Sequence, residues 1–175
     1  MRALVVYESM YGNTATVALA IADGIRPTMP VEALEVGAAP ADLPEDVALL
    51  VVGAPTHIHG MSTPRSRASA ATRADAPLVS QGPGMREWLE ALHPGTDVRG
   101  AAFDTRNKGP MMLTGSAAKS AAKLLRKAGL RVVEEPASFV LDGATGPVVD
   151  RVAPVDLDAA RTWGARVASE ATRHA

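Results

Sequence analysis

The sequence predicts an α/β fold: an open, five-stranded parallel sheet between two layers of helices, an α/β/α sandwich. Three observations predict it. Short β-branched apolar runs alternate with segments of helical spacing in the order β-α-β-β-α-β-α-β-α. One of those runs, 47–53 (Val-Ala-Leu-Leu-Val-Val-Gly), is apolar without alternation, as expected of a parallel strand covered on both faces. Polar turns follow the carboxyl ends of several predicted strands, which is where open parallel sheets bind their ligands.

Arg2 to Tyr7 read as the first strand, stopped by the turn-prone Glu8-Ser9-Met10-Tyr11-Gly12-Asn13. Thr14, Val17, Ala18, Ile21 and Ile25 then fall at helical spacing, and Gly24, Pro27 and Pro30 punctuate the end of that helix. Val31 to Val36 is the second strand and 47–53 the central third. Further on come a helix from Met85 to Leu92, a strand from Val98 to Phe103, and a helix from Ser116 to Ala128 closed by Gly129. Leu130 to Leu141 reads as a strand interrupted at Pro136, and Asp156 is placed to cap a last helix carrying Leu157, Ala160, Gly164, Val167 and Ala171 on one side. The stretch from Thr63 to Gly84 has no clear period over most of its length. It is either a functional flap or a loop that hides a short helix around Ser66 to Arg73. The whole chain, 1–175, is expected to be one domain.

At 175 residues and 18.1 kDa the chain is long enough to bury about 70% of its unfolded surface. With 47% apolar and 21% charged residues it is an ordered chain, and its apolar runs fall far short of the roughly 20 residues that span a bilayer. A net charge of −1 and a pI near 6.4 give no long-range electrostatic case for nucleic acid or for a strongly basic partner. The absence of cysteine excludes disulfides, thiolate metal sites and thiol nucleophiles. With no signal-like segment ahead of the first strand, the expected address is cytoplasmic.

Three loops follow strand ends: Glu8 to Asn13, Pro55 to Ser62, and Asp104 to Gly115. The first brings a serine hydroxyl, an asparagine amide, a threonine hydroxyl and a glycine to the turn that starts a helix, so free N–H groups and the positive helix end converge on a volume suited to phosphate. No Lys or Arg lies between Tyr7 and Asp23, so a dianion there is expected to rest on neutral donors and the dipole; GxxxxGK[ST] and GxGxxG are both absent. The simpler alternative is that Ser9, Asn13 and Thr14 only cap the helix. His57 and His59 alternate, so in an extended segment one of them faces a ligand, and no third histidine or carboxylate cluster accompanies them as a metal site would require. Arg65, Arg67 and Arg73 could hold a pyridine-nucleotide phosphate or a partner's acidic face, although such arginines are more often solvated. Lys119, Lys123, Arg126 and Lys127 read as a solvated helix face, and Trp88 and Trp163 as helix anchors. No Ser-His-Asp ordering or paired-carboxylate spacing stands out, so no catalytic residue is assigned.

Tyr7-Glu8-Ser9-Met10-Tyr11-Gly12-Asn13-Thr14 resembles the FMN phosphate loop of flavodoxin-like proteins, commonly T/S-x-T/S-G-x-T, with Ser9, Gly12 and Thr14 matching directly. Tyr11 stands at the second hydroxyl position, and Ser-Met-Tyr-Gly is similar to the version in WrbA-type quinone oxidoreductases and in the flavodoxin domains of flavodiiron proteins. Gly53-Ala54-Pro55-Thr56, followed by His57-Ile58-His59-Gly60-Met61-Ser62, resembles the P-T-x-x-x-G-M loop that borders the flavin ring in those relatives. The resemblance implies the flavodoxin-like strand order 2-1-3-4-5 and FMN as cofactor. It implies that Ser9, Met10, Tyr11, Gly12, Asn13 and Thr14 hold the phosphate. Pro55, Thr56, His57, Ile58, His59 and Gly60 would edge the ribityl chain and isoalloxazine, and Asp104, Thr105 and Arg106 would form the opposite wall. With only 3% aromatic residues and none in the two wall loops, His57 or His59 would stack on the ring, with Ile58, Met61, Met111 and Met112 as softer neighbours.

Two redox functions follow from the resemblance. One is an electron carrier exchanging electrons with a redox partner protein; the other is an FMN-dependent oxidoreductase reduced by NAD(P)H and reoxidised by a quinone. A flavodoxin-like fold that has lost its flavin is the remaining alternative. A phosphoacceptor receiver is set aside, because Glu8 stands alone at the first strand's end, the third strand ends Gly53-Ala54-Pro55, and no lysine lies near Val140.

Overall fold

The computed structural model describes residues 1–57, 60–108, 115–143, 148–149 and 153–173. In chain order the elements are β1 (Arg2–Tyr7), α1 (Asn13–Ile25), β2 (Val31–Glu35), β3 (Val47–Pro55), α2 (Pro64–Arg73), α3 (Met85–Glu90), β4 (Arg99–Asn107), α4 (Ala117–Lys127), β5 (Arg131–Val132), β6 (Ala137–Leu141) and α5 (Leu157–Thr172). The strands form one parallel sheet in the order β2-β1-β3-β4-β5, with β6 also paired to β4. Among the described residues no helix is long and apolar enough to cross a membrane.

Two departures from the sequence reading bear on the site. The single fifth strand is two pieces on one edge of β4: Arg131 and Val132 pair with Arg99 and Gly100, and Ala137 to Leu141 pair with Phe103 to Asn107. The break spans Glu134-Glu135-Pro136, where proline has no N–H to give the ladder. The second departure is that residues 64–73 form a helix, so the flap reading gives way to the hidden-helix one. Thr63 Oγ1 accepts the Ser66 N–H at 3.2 Å while Ser66 Oγ accepts the Thr63 N–H at 2.9 Å, and Pro64 occupies the first turn where its missing N–H costs nothing.

The sheet is covered on both faces. On one side Leu4, Val6, Leu50, Val52 and Ala102 meet Met85, Trp88 and Leu89 of α3 and Ala121, Ala122 and Leu125 of α4. On the other, Val5, Leu49, Val51, Ala101 and Phe103 meet Val17, Ile21 and Ile25 of α1 and Ala160, Trp163 and Val167 of α5. Helices α1 and α5 touch backbone to backbone: a Cβ at Gly24 would stand 2.0 Å from the Arg161 carbonyl oxygen, and one at Gly164 would stand 2.4 Å from that of Ile21. Neither neighbour is a side chain that can swing away, so the helices themselves must part.

Gly164→Ala should therefore cost about 1–3 kcal/mol by overpacking, roughly 2–4 °C of Tm per kcal/mol at this chain length. Gly95, where an added Cβ meets nothing within 4 Å, is the neutral control. Thermal unfolding of the two alanine variants checks this, and equal Tm values would refute the close crossing.

Candidate functional site

Between β1 and β3 the chain reverses its direction of travel across the sheet, going out to β2 and returning to the other side of β1. Such a switch point leaves a crevice outside the carboxyl ends of the strands. A cleft of about 350 Å³ lies there, lined by Ser9, Met10, Tyr11, Asn13 and Thr14 from the first loop, Pro55, Thr56 and His57 from the second, and Thr105, Arg106 and Asn107 from the end of β4. Arg73 of α2, Leu141 and Gly143 complete the lining.

The first loop is shaped by Gly12, whose φ of +98° places it in the left-handed region that glycine occupies without a Cβ penalty. Ser9 Oγ accepts the N–H of Gly12 at 3.2 Å and of Ala15 at 3.3 Å, satisfying two of the donors that a helix start leaves open. Among the described residues none supplies an acceptor to the amides of Tyr11, Asn13 and Thr14. The loop is braced from outside. Ser9 N–H donates to Ser80 Oγ at 2.9 Å, Ser80 N–H donates to the Ser9 carbonyl at 2.8 Å, and Asn13 Oδ1 accepts the Ala153 N–H at 2.7 Å. The Thr14 and Thr105 hydroxyls, 2.8 Å apart, join it to β4.

The second loop turns back at once: His57 and Gly60 exchange N–H···O bonds of 2.8 and 2.7 Å. Thr56 Oγ1 accepts the Ala117 N–H at 3.0 Å, so α4 starts against the cleft wall. His57 is half-buried; burial, and then the positive charges of Arg67 and Arg73, lower its pKa and favour the neutral ring. Ile58 and His59, and also Met111 and Met112, lie outside the described residues.

Asp104 does not line the cleft. β4 continues past Phe103 to Asn107, so Asp104 is a strand residue, and its side chain turns to the start of α4, where Oδ2 accepts the Ser116 hydroxyl at 2.6 Å and the Ala118 N–H at 3.0 Å. Its neighbour Thr105 points to the opposite face, as alternation requires, and reaches the cleft. The expected wall is thus built by Thr105, Arg106 and Asn107, with Asp104 anchoring α4.

Two contributors stand differently from the sequence reading. Arg73, read there with Arg65 and Arg67 as more often solvated, brings a cation to the rim from a segment remote in sequence; the signal for its placement was Thr63-Pro64 with Ser66 three residues after the cap, a helix start that leads to Arg73 in its last turn. The other is Glu8, fully buried beneath both loops. Its Oε1 accepts the Ser62 hydroxyl, and its Oε2 accepts the Met85 N–H at 2.9 Å. Ser62 Oγ in turn accepts Arg67 Nη1 at 3.0 Å, and Arg67 forms two 3.2 Å bonds to the Glu87 carboxylate. Burial raises the Glu8 pKa and outweighs the Ser62 and Met85 donors and the Arg67 charge. Glu87 moves the other way: its partial burial opposes ionisation, but the bonds from Arg67 and from backbone amides lower its pKa. Nothing in local periodicity signals Glu8, because its partners lie 54 and 77 residues away.

No protein-family model and no curated protein matches the sequence. Solved structures do, and they show a flavodoxin-like fold. A flavodoxin from the domain Archaea is 22% identical, with 98% of this chain and 99% of that one covered and a TM-score of 0.66. The oxidised flavodoxin 1 of Bacillus cereus is 19% identical over 100% and 99% of the two chains, with a TM-score of 0.65. The rubredoxin:oxygen oxidoreductase of Desulfovibrio gigas is 18% identical; 99% of this chain matches 35% of that one, with a TM-score of 0.60.

Because the folded-state pKa of Glu8 lies above its ordinary 4.5, the stability it contributes is fully present below that value and is lost as pH rises through the raised one. The Tm difference between the native chain and Glu8→Gln should therefore shift in the native chain's favour as pH is lowered, levelling off below about 4.5. A difference independent of pH, measured by calorimetry across the acid range, would show that Glu8 does not titrate on folding.

Proposed function

We propose that the cleft binds FMN and that the protein is a cytoplasmic redox protein working through that flavin. One observation carries the reading: at the start of α1, amides with no acceptor among the described residues, the Ser9 and Thr14 hydroxyls and a left-handed Gly12 converge at the carboxyl end of β1 in a flavodoxin-like fold. The donors suit a phosphate ester, and the cleft volume lies within the usual range for small-molecule sites.

In this reading Ser9, Met10, Tyr11, Gly12, Asn13 and Thr14 hold the phosphate through backbone N–H groups and the helix dipole, with Arg73 adding a cation at the rim. Pro55, Thr56, His57, Ile58, His59 and Gly60 edge the ribityl chain and ring on one side, and Thr105 and Arg106 stand on the other, carried by a strand end that Asp104 ties to α4. Bound FMN supplies reversible one- and two-electron transfer. What the chain contributes is orientation and electrostatics. Among the described residues no carboxylate lines the cleft, whereas Arg73 and Arg106 do, and such a lining favours the more negative, reduced form of a ligand. The sparse aromatic lining, Tyr11 alone, works in the same direction by leaving the ring less shielded from polar groups.

The cationic lining also favours a second reading, an FMN-dependent oxidoreductase that takes hydride from an anionic nicotinamide dinucleotide and passes electrons to a quinone. Rapid mixing with NADPH separates the two. Direct loss of the 450 nm flavin band at catalytic speed supports the oxidoreductase; reduction only with an added reductase supports the carrier.

FMN titrated into the protein should lose its fluorescence on binding, and riboflavin, lacking the phosphate, should bind at least tenfold more weakly. Gly12→Ala, forcing a Cβ into φ +98°, should weaken FMN by about 5- to 150-fold, the equivalent of 1–3 kcal/mol of strain. Equal affinity for riboflavin and FMN would remove the phosphate from the argument. Arg73→Gln should shift the flavin midpoint potential to more negative values in a spectroelectrochemical titration, and a shift the other way would contradict the role given to that cation.

A further inference from the structure

The near-zero net charge conceals a segregation of charge along the chain. From residue 105 to residue 133 there are seven Lys and Arg side chains and no Asp or Glu; the remainder holds eleven Lys and Arg against nineteen Asp and Glu, a formal charge of −8. All four lysines of the chain, Lys108, Lys119, Lys123 and Lys127, lie in this stretch. Three of them sit on α4, where Lys119, Lys123, Arg126 and Lys127 are all exposed and fall within one 100° arc of the helix. Arg131, just beyond, is exposed as well.

Helix stability does not account for this ridge. Like charges at i,i+4 repel, and a lysine in the first turn opposes the helix dipole; only Arg126 and Lys127, in the last turn, are favoured by it. Nor are these charges neutralised within the fold. Among the described residues none of Lys108, Lys119, Lys123, Arg126, Lys127 and Arg131 forms an ion pair, whereas cations elsewhere, such as Arg2, Arg26, Arg67, Arg161, Arg166 and Arg173, do. The ridge also leads to the cleft. The α4 amide of Ala117 bonds Thr56 Oγ1, and a Cβ at Gly60 would meet Ser120 Oγ at 3.4 Å, so the first turn packs against the loop that edges the cleft. Lys108 follows Asn107, which lines the cleft, and is exposed.

We propose that the α4 ridge, together with Lys108, is the docking surface for a compact protein with an acidic face, which it guides to the mouth of the cleft. That the partner exchanges electrons there rests on the FMN reading; that it docks does not. The ridge extends about 12 Å from Lys119 to Lys127, little more than a Debye length in physiological salt. Outside 105–133 the chain carries a formal charge of −8. A local acidic patch matches that footprint, whereas an extended polyanion would overrun onto like charge.

The test uses a strongly acidic [2Fe–2S] ferredoxin as the probe, titrated by calorimetry into the full chain, with a 20-base-pair DNA duplex in parallel, each at 50 and 300 mM NaCl. We expect ferredoxin binding at low salt that weakens at least tenfold at high salt and at least tenfold in K119E/K123E. R26E/R161E, which changes net charge equally but at two exposed, ion-paired sites elsewhere, should bind as the native chain does. FMN affinity, read separately by fluorescence, should be the same in all three proteins, so loss of ferredoxin binding and loss of flavin binding are told apart. No ferredoxin binding, equal loss in both double variants, or tighter binding of the duplex than of ferredoxin would each overturn the proposal.

Discussion

A carboxyl group taken out of water is costly unless donors meet its oxygens, and Glu8 meets that condition only when four segments are in place at once. Its backbone N–H closes β1 onto the Gly53 carbonyl of β3 at 2.9 Å. Its side chain reaches Ser62 at the end of the second loop and the first amide of α3, and through Ser62 it is linked to the Arg67–Glu87 pair between α2 and α3. The two loops that border the cleft are therefore set in relation to each other from below. Gly84 shows how tight this arrangement is: a Cβ there would stand 2.2 Å from Arg67 Nη1. Protonation of Glu8 removes the buried charge at the centre of the array and so favours the fold, while Glu87, held ionised by Arg67, keeps the periphery in place.

What could be read from the sequence follows the range over which each interaction acts. Strands β1 and β3 were legible because burial on both faces leaves an unbroken apolar run, and the α4 stop was legible because Gly129 adopts φ +94°, which few other residues accept. Pro136 marked the break in the fifth strand for the same local reason. The end of β4 was not legible: Asp104 is polar, so the apolar run ends at Phe103. Its burial is made tolerable by Ser116 and Ala118, twelve and fourteen residues on, where no periodic pattern records the pairing. Arg73 and Glu8 belong to the same class, side chains whose roles are set by partners that only the fold brings near.

The allocation of the few aromatic residues explains the character of the cleft. The chain has two each of Trp, Tyr and Phe. Phe103, Phe139 and Trp163 meet edge to face at 6.1–6.3 Å between centroids in the layer of α1 and α5, and Trp88 is buried in the opposite layer. Gly53 is part of that arrangement, since a Cβ there would stand 2.0 Å from the Phe103 ring. With so many small alanines in both layers, these rings supply much of the core's bulk. Tyr7 packs against the layer of α1 and α5, and only Tyr11 is left for the cleft, where its hydroxyl donates to the Ala70 carbonyl at 3.3 Å and so ties the first loop to α2. The rest of the lining is accordingly mostly polar, with serine, threonine, asparagine, histidine and arginine beside Met10, Pro55 and Leu141.

Net charge is a sum, and a sum discards position. Two groups of charges, one on a single helix and one spread over the remaining surface, nearly cancel in the total, yet at separations beyond a Debye length they scarcely screen each other. A visitor approaching the carboxyl end of the sheet therefore meets the local field of α4 and the cleft rim. There the cations on the ridge form no ion pair among the described residues, and Arg73 reaches the rim from a helix that the first loop itself holds in place through Tyr11. The polarity of the approach and the polarity of the site thus have the same sign. Both follow from where α2 and α4 pack, since each helix touches the cleft at a loop that Glu8 or Asp104 secures.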